Sequence, residues 1–124
     1  MIKGIGCDIV EVSRFEKWIE TSLVERFFNP AELIEEKASL QRKSEYYAIR
    51  YAAKEAFSKA LGTGLSGFSL KDVYIKKDAN GKPSLIVEAD ALKKTCELFG
   101  DGCIFHVSLS HEKKYAIAYV IIEK

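Results

Sequence analysis

Glu55 and Lys59 stand four residues apart in the run Tyr51-Ala-Ala-Lys-Glu-Ala-Phe-Ser-Lys-Ala-Leu-Gly-Thr-Gly64. On a helix that spacing puts a carboxylate and an ammonium on one face. Alanines at 52, 53, 56 and 60 keep the face low, while Gly62 and Gly64 supply the positive-φ backbone that ends a helix and lets a ligand come close. This is the layout of a phosphate site, although the same pair could be a solvated surface contact worth roughly a few tenths of a kcal/mol. A distant acid argues for chemistry. Asp8 interrupts the apolar, β-branched run from Ile2 to Val12, which reads as a strand, and period-two alternation places it with Ile2, Val10 and Val12 on a face expected to be buried. An unpaired carboxylate among Val and Ile is costly, so Asp8 requires a cation, a metal or a hydrogen-bond network unless it sits at the strand end and caps a loop.

The elements that must position these residues follow from periodicity. Ser13 with Glu16 three residues later reads as a capping box starting a helix at Arg14, with Phe15, Trp18 and Ile19 on its apolar stripe. Leu23, Val24, Phe27 and Phe28 suggest a short turn, and Asn29-Pro30 restarts a helix through about Lys37. The long helix is expected from about Ser44 to Leu61, its core stripe being Ile49, Ala53, Ala56, Phe57 and Ala60, with Glu55 and Lys59 on an adjoining edge. Val73 to Lys77 and Ser84 to Glu88 flank the turn-rich Asp78-Ala-Asn-Gly-Lys-Pro83 and read as an antiparallel pair. Asp90 is expected to cap a helix to about Phe99, ended by Gly100-Asp-Gly102. Ile104 to Ser110 and Tyr115 to Ile122 form a second hairpin. The last strand is apolar on both faces, which places it centrally or in a subunit interface. The class is α+β, a small, mostly antiparallel sheet packed on a long helix.

Composition bounds the function. A chain of 124 residues, 48% of them hydrophobic, makes one domain spanning 1–124. A net charge of +1 excludes a global field for nucleic acid or anionic membrane, so any anion site is local. Between Lys37 and Lys59 six cations (Lys37, Arg42, Lys43, Arg50, Lys54, Lys59) face two carboxylates (Glu45, Glu55), a local excess of four. Cys7, Cys96 and Cys103 have neither zinc spacing nor the even number of a disulfide framework. Neither a signal peptide nor an apolar run of membrane length is present, so a cytoplasmic location is expected.

Five segments, Gly6-Cys-Asp-Ile-Val-Glu-Val12, Arg50-Tyr-Ala-Ala-Lys-Glu55, Lys59-Ala-Leu-Gly-Thr-Gly64, Asn80-Gly-Lys-Pro83 and His106-Val-Ser-Leu-Ser-His111, occur in one order across nearly the whole chain. Together they closely resemble the short, single-domain type of the 4'-phosphopantetheinyl transferase family, the holo-[acyl-carrier-protein] synthases. The resemblance implies the family's fold, and a homotrimer with active sites between protomers. It also implies transfer of 4'-phosphopantetheine from coenzyme A to a serine of apo acyl carrier protein, releasing adenosine 3',5'-bisphosphate, for fatty acid biosynthesis.

Under that resemblance Asp8 and Glu55 are the carboxylate pair for Mg2+, or Mn2+, since hard cations take one or two carboxylates plus substrate phosphates. Lys59 neutralises phosphate charge, and Glu55, directly or through a metal-bound water, takes the serine proton. Val10 stands where a two-domain relative often carries a further acid, so water is expected in that coordination slot. Gly62, Thr63 and Gly64 can cradle phosphate oxygens. His106, on a polar row with Ser108 and Ser110, is a candidate nucleotide contact across the trimer interface. Arg42, Lys43 and Arg50 are candidates for the adenosine end and 3'-phosphate. Arg14 matches the position that docks the acidic carrier, with Phe15, Trp18, Phe27 and Phe28 as core or anchor residues. Two other readings use the same residues: a magnesium-dependent nucleotide phosphohydrolase, which would consume coenzyme A without an acceptor, and a noncatalytic module that binds an acidic partner.

Overall fold

Ser39, in extended backbone, accepts a hydrogen bond from the Arg42 N–H at 3.1 Å and starts α3, the 22-residue helix Leu40–Leu61. The helix begins a turn earlier than the expected Ser44. The cap is Ser39, and Arg42 at the third helical position lacks the acceptor that completes a capping-box signature. Gly62, in the left-handed region at φ 83°, ends the helix and donates its N–H to the Ser58 and Lys59 carbonyls. The computed structural model describes residues 1–34 and 37–124. Around α3 are β1 (Ile2–Glu11), α1 (Arg14–Glu20), α2 (Val24–Phe27), β2 (Val73–Lys77), β3 (Pro83–Val87), α4 (Ala89–Phe99), β4 (Ile104–His111) and β5 (Tyr115–Glu123).

The strands form two sheets, a three-stranded one in the order β1-β5-β4 and the hairpin β2-β3, with every described ladder antiparallel. The two-sided apolar strand β5 is central. Its Ala116, Ala118, Val120 and Ile122 are buried against α3, while Tyr115 and Tyr119 face outward. α3 lies on the inner faces of β1 and β5. Two glycines permit the approach: a Cβ at Gly4 would collide with the Ala60 carbonyl and one at Gly6 with the Ala56 carbonyl. Small residues thus meet on both sides, Gly4 and Gly6 on the strand against Ala56 and Ala60 on the helix.

Three other helices begin at or within a residue of the expected place but differ in their caps or extent. Ser13 is itself helical (φ −59°, ψ −24°) and its side chain makes no cap bond, so no capping box forms. α4 begins at Ala89 after Glu88, with Asp90 in the first turn, where its charge still complements the helix dipole. Pro30–Glu32 is a single 3₁₀ turn capped by Asn29 and Glu32 instead of a helix to Lys37, and residues 35 and 36 of that stretch lie outside the described residues. The inner face of β1 is buried at Val10 and Val12, but Ile2 is exposed, because the register shifts between Ile2 and Gly4 at the end of the ladder.

Lys54, counted above among the local cations, is fully buried. Its Nζ donates to Glu32 Oε1 at 2.6 Å, to the Leu70 carbonyl at 2.9 Å and to the Val73 carbonyl at 2.6 Å. It ties the 30s segment and β2 to the helix and contributes nothing to a surface field, which corrects the excess read from the sequence. Burial outweighs the mutual attraction on both partners, raising the Glu32 carboxyl and lowering the Lys54 ammonium.

Candidate active site

β1 passes Ala60 at Gly4 and Ala56 at Gly6, running back along α3 from its C-terminal end, so Asp8, two residues on and facing the same way, lies farther from that end and Lys59 reaches back to it. The Lys59 Nζ donates to Asp8 Oδ1 at 2.9 Å. Asp8 is therefore partnered, as a half-buried acid on an apolar face must be. The Lys59 side chain is 55% exposed against 15% for Asp8, so the ammonium presents its other hydrogens to solvent. Hydrogen bonding to Asp8 and its charge raise the Lys59 pKa, with Glu55 adding to the shift, so Lys59 is a cation throughout the neutral range.

Glu55 lies one turn before Lys59, and one turn before Glu55 comes Tyr51. The Tyr51 phenol is pushed up to about 12 by burial, by hydrogen bonding to Glu55 and by the Glu55 charge, against the opposing pull of Arg14. Arg14, exposed at the start of α1, stacks its guanidinium 5.1 Å from the Tyr51 ring centroid and 5.5 Å from that of Trp18. Arg14 and Tyr51 thus pack together between the surface of α1 and the turn of α3 that precedes Glu55. Beyond Lys59, Gly62 and Gly64 both have positive φ, and a Cβ at either would meet nothing within 4 Å. Their glycine identity serves the backbone turn, which leaves the surface over Thr63 open.

A second concavity occupies the other end of the helix. A cleft of about 540 Å³ lies between the first half of α3, the β2-β3 hairpin and the end of β4. Arg42 and Arg50 are on its wall with Tyr46, Lys77, Pro83 and His111. Arg50 is 7% exposed, its guanidinium carbon 3.5 Å from the Tyr46 ring centroid. Its Nη1 donates to the Tyr46 carbonyl at 3.3 Å and its Nε has no partner among the described residues. A guanidinium held on a cleft wall by its stacking on Tyr46 is suited to an anion.

The candidate residues therefore divide into two groups. Asp8, Glu55, Lys59 and Gly62 to Gly64 gather where β1 meets the end of α3. Arg42 and Arg50 lie in the cleft on the β4 side, and β1 and β4 are opposite edges of one sheet. Arg42 is about 25 Å and Arg50 about 14 Å from Lys59 along the helix axis at the usual rise per residue. Lys43, half-buried, is not on the cleft wall. His106 belongs to neither group: it lies on the outer sheet face with Ser108 and Ser110, its Nε2 2.9 Å from Glu123 Oε1. His111 was not singled out as a site residue. It differs from His106 by an odd number of positions, so alternation along β4 turns it to the side of Leu109, which also lines the cleft.

Asp8 and Glu55 fit a hard divalent cation that keeps several waters and takes substrate phosphate oxygens as further ligands. Among the described residues there is no cluster of three or more His, Cys, Asp or Glu able to hold a metal unaided. The donor set suits a cation that arrives with, or is completed by, a phosphate ligand.

Residues 4–120 match the 4'-phosphopantetheinyl transferase superfamily. A holo-[acyl-carrier-protein] synthase of Treponema denticola is 49% identical over 124 residues, covering 99% of each chain. A holo-(acyl-carrier-protein) synthase of Bacillus anthracis, solved in complex with CoA (3',5'-ADP), is 37% identical with a TM-score of 0.76 over 98% of this chain and 96% of its own. The synthase of Neisseria meningitidis is 36% identical with a TM-score of 0.81 over 100% of both. Sequence, fold and the carboxylate–ammonium cluster agree, and the chain belongs to the 4'-phosphopantetheinyl transferase superfamily, among the holo-[acyl-carrier-protein] synthases.

Proposed function

We propose that this chain transfers the 4'-phosphopantetheine group of coenzyme A to a serine of apo acyl carrier protein, giving holo carrier protein and adenosine 3',5'-bisphosphate for fatty acid biosynthesis in the cytoplasm. The observation that carries the reading is the cluster at the β1–α3 contact, where Asp8 pairs with Lys59 at 2.9 Å one turn from Glu55. The serine Oγ attacks the phosphorus that bears the pantetheine arm. As the Oγ–P bond forms, its proton passes to Glu55. The bond from that phosphorus to the bridging oxygen breaks, and the electron pair leaves on the 5'-phosphate of the adenosine 3',5'-bisphosphate. Lys59 offsets the charge that grows on this oxygen, the kind of electrostatic assistance that carries most phosphoryl transfer. Asp8 and Glu55 would hold Mg2+, or Mn2+, with water where Val10 supplies no ligand, and the bound cation would supply charge neutralisation for the pyrophosphate.

The separation of the two residue groups supports a site shared between copies. The outer face of the β1-β5-β4 sheet exposes Ile5 (62%), Ile9 (61%), Ile104, Tyr115 and Tyr119, an apolar surface unusual for a chain that stays alone. Packing that face against neighbours in a homotrimer brings the Arg42, Arg50 and His111 cleft of one copy beside the Asp8, Glu55 and Lys59 cluster of the next. The cleft then takes the adenosine end and its 3'-phosphate, and the cluster takes the pyrophosphate. Arg14, exposed against the Tyr51 ring one turn before Glu55, is where an acidic carrier delivers its serine.

Intact-mass spectrometry of apo acyl carrier protein incubated with the chain and coenzyme A tests the reaction. A mass gain of one phosphopantetheine, present with magnesium and absent with chelator or with a serine-to-alanine acceptor, is expected. Coenzyme A breakdown without a gain would replace the transferase by a hydrolase.

A further inference from the structure

Helix side chains lean toward the preceding turn, and Arg50 reaches back over Tyr46, four residues earlier. Its guanidinium carbon is 3.5 Å from the Tyr46 ring centroid, and its Nη1 donates to the Tyr46 carbonyl at 3.3 Å. One residue thus holds the cation at two points. Stacking uses the face of a guanidinium whereas its donors lie in the plane, so the ring covers Arg50 without consuming the N–H edge that an oxyanion takes. The ring is itself fixed. Tyr47 meets it edge-on, with centroids 5.2 Å apart and planes at 88°. Tyr47 is buried against Phe28 at 4.9 Å, and its hydroxyl accepts from the Ile34 N–H at 3.1 Å. A second hollow, of about 340 Å³, is lined by Ala31, Tyr74 and Lys76 and, like the larger cleft, by Tyr46, Arg50 and Lys77. Arg50 therefore stands between two open spaces, and Arg42 and His111 line the larger one. Released from the ring, its long side chain would have room to wander.

We propose that Tyr46 is a positioning residue for Arg50, its ring holding the guanidinium ready in the cleft so that the site prefers coenzyme A over the same molecule without its 3'-phosphate. The proposal rests on the reading that this cleft takes the adenosine end and its 3'-phosphate. Ordering a rotamer-rich side chain on binding weakens affinity by a factor between about two and about ten, and a group already held in place escapes that loss.

Tyr46→Leu removes the aromatic face and Tyr46→Phe keeps it. Calorimetry of the whole assembled protein with coenzyme A and with 3'-dephospho-coenzyme A reads the preference directly. In Tyr46→Leu the Kd for coenzyme A is expected to rise about fivefold, while the Kd for dephospho-coenzyme A stays at its wild-type value. Tyr46→Met, a second replacement without a ring, is expected to behave as Tyr46→Leu does, and Tyr46→Phe to retain the wild-type preference. An unchanged preference in Tyr46→Leu and Tyr46→Met would overturn the proposal. So would an equal rise in both Kd values, which marks packing of the cleft wall in place of the placement of Arg50. Arg50→Ala separates the proposal from the reading beneath it. If Arg50→Ala keeps the wild-type preference, the reading of Arg50 as a 3'-phosphate contact fails; a preference lost in Arg50→Ala and kept in Tyr46→Leu overturns only the positioning role.

Discussion

Gly6→Ala tests whether the close β1–α3 approach creates the site. The added Cβ would stand 2.7 Å from the Ala60 nitrogen and closer still to the Ala56 carbonyl, whereas ordinary contact begins at 3.4 Å. Both neighbours are backbone of a buried helix, so neither can rotate away. Relieving the Ala60 nitrogen alone takes about 0.7 Å and the nearer Ala56 carbonyl takes more, so strand and helix must part by more than that, and Asp8, two residues along the strand, moves with it. Overpacking of this kind costs about 1–3 kcal/mol. A misplacement approaching 1 Å of a group that orients reacting atoms costs on the order of 100-fold in rate. Urea unfolding at a fixed protomer concentration is expected to show a lower midpoint with an unchanged slope, and the carrier-modification rate to fall by about that factor at temperatures where the variant is folded. A variant with wild-type midpoint and wild-type rate would refute the reasoning, because no close contact would then be positioning Asp8.

Other perturbations address other parts of the account. Lys54→Met removes three hydrogen bonds and leaves Glu32 as an uncompensated buried charge, and is expected to destabilise by about 3–5 kcal/mol in urea unfolding; adding Glu32→Gln should restore part of that loss. A Lys54→Met variant within about 1 kcal/mol of wild type would show that the pair does not hold β2 and the 30s segment to the helix. Arg14→Glu places like charge against an acidic carrier and should raise the KM for carrier while leaving coenzyme A binding, measured by calorimetry, unchanged; an unchanged KM removes Arg14 from the docking surface. Asp8→Ala and Arg50→Ala, each inactive alone, should recover activity when unfolded and refolded together, since mixed assemblies contain some sites with both groups intact. No recovery would place both groups in one copy's site.

Much of this arrangement is legible in the sequence because local signals agree with the tertiary outcome. Asp8 in an apolar strand announces a partner, and Glu55, Lys59 and Gly62 share one helix end whose cap is a glycine in the left-handed region. The two hairpins follow from alternation and from Asp78, whose carboxylate accepts from the Asn80 and Lys82 N–H groups at 2.8 and 2.9 Å to close the β2-β3 turn. What stays hidden is decided by packing between distant segments. Lys54 reads as a surface cation because Glu32 and the Leu70 and Val73 carbonyls are brought to it only by the fold. Gly4 and Gly6 read as ordinary strand residues until the helix backbone lies over them. His106 attracts attention as a histidine in a polar row, but the parity of β4 gives the cleft to His111. The division of the site into two groups depends on strand order, which periodicity does not determine.

The central claim is that the Asp8–Glu55–Lys59 cluster performs the transfer. The most direct measurement is the initial rate of mass gain on apo acyl carrier protein with Asp8→Ala compared with wild type, at saturating coenzyme A and magnesium, with assembly state followed by light scattering. The account predicts near-complete loss of transfer by a protein whose mass in solution is unchanged. Transfer at the wild-type rate by Asp8→Ala would contradict it.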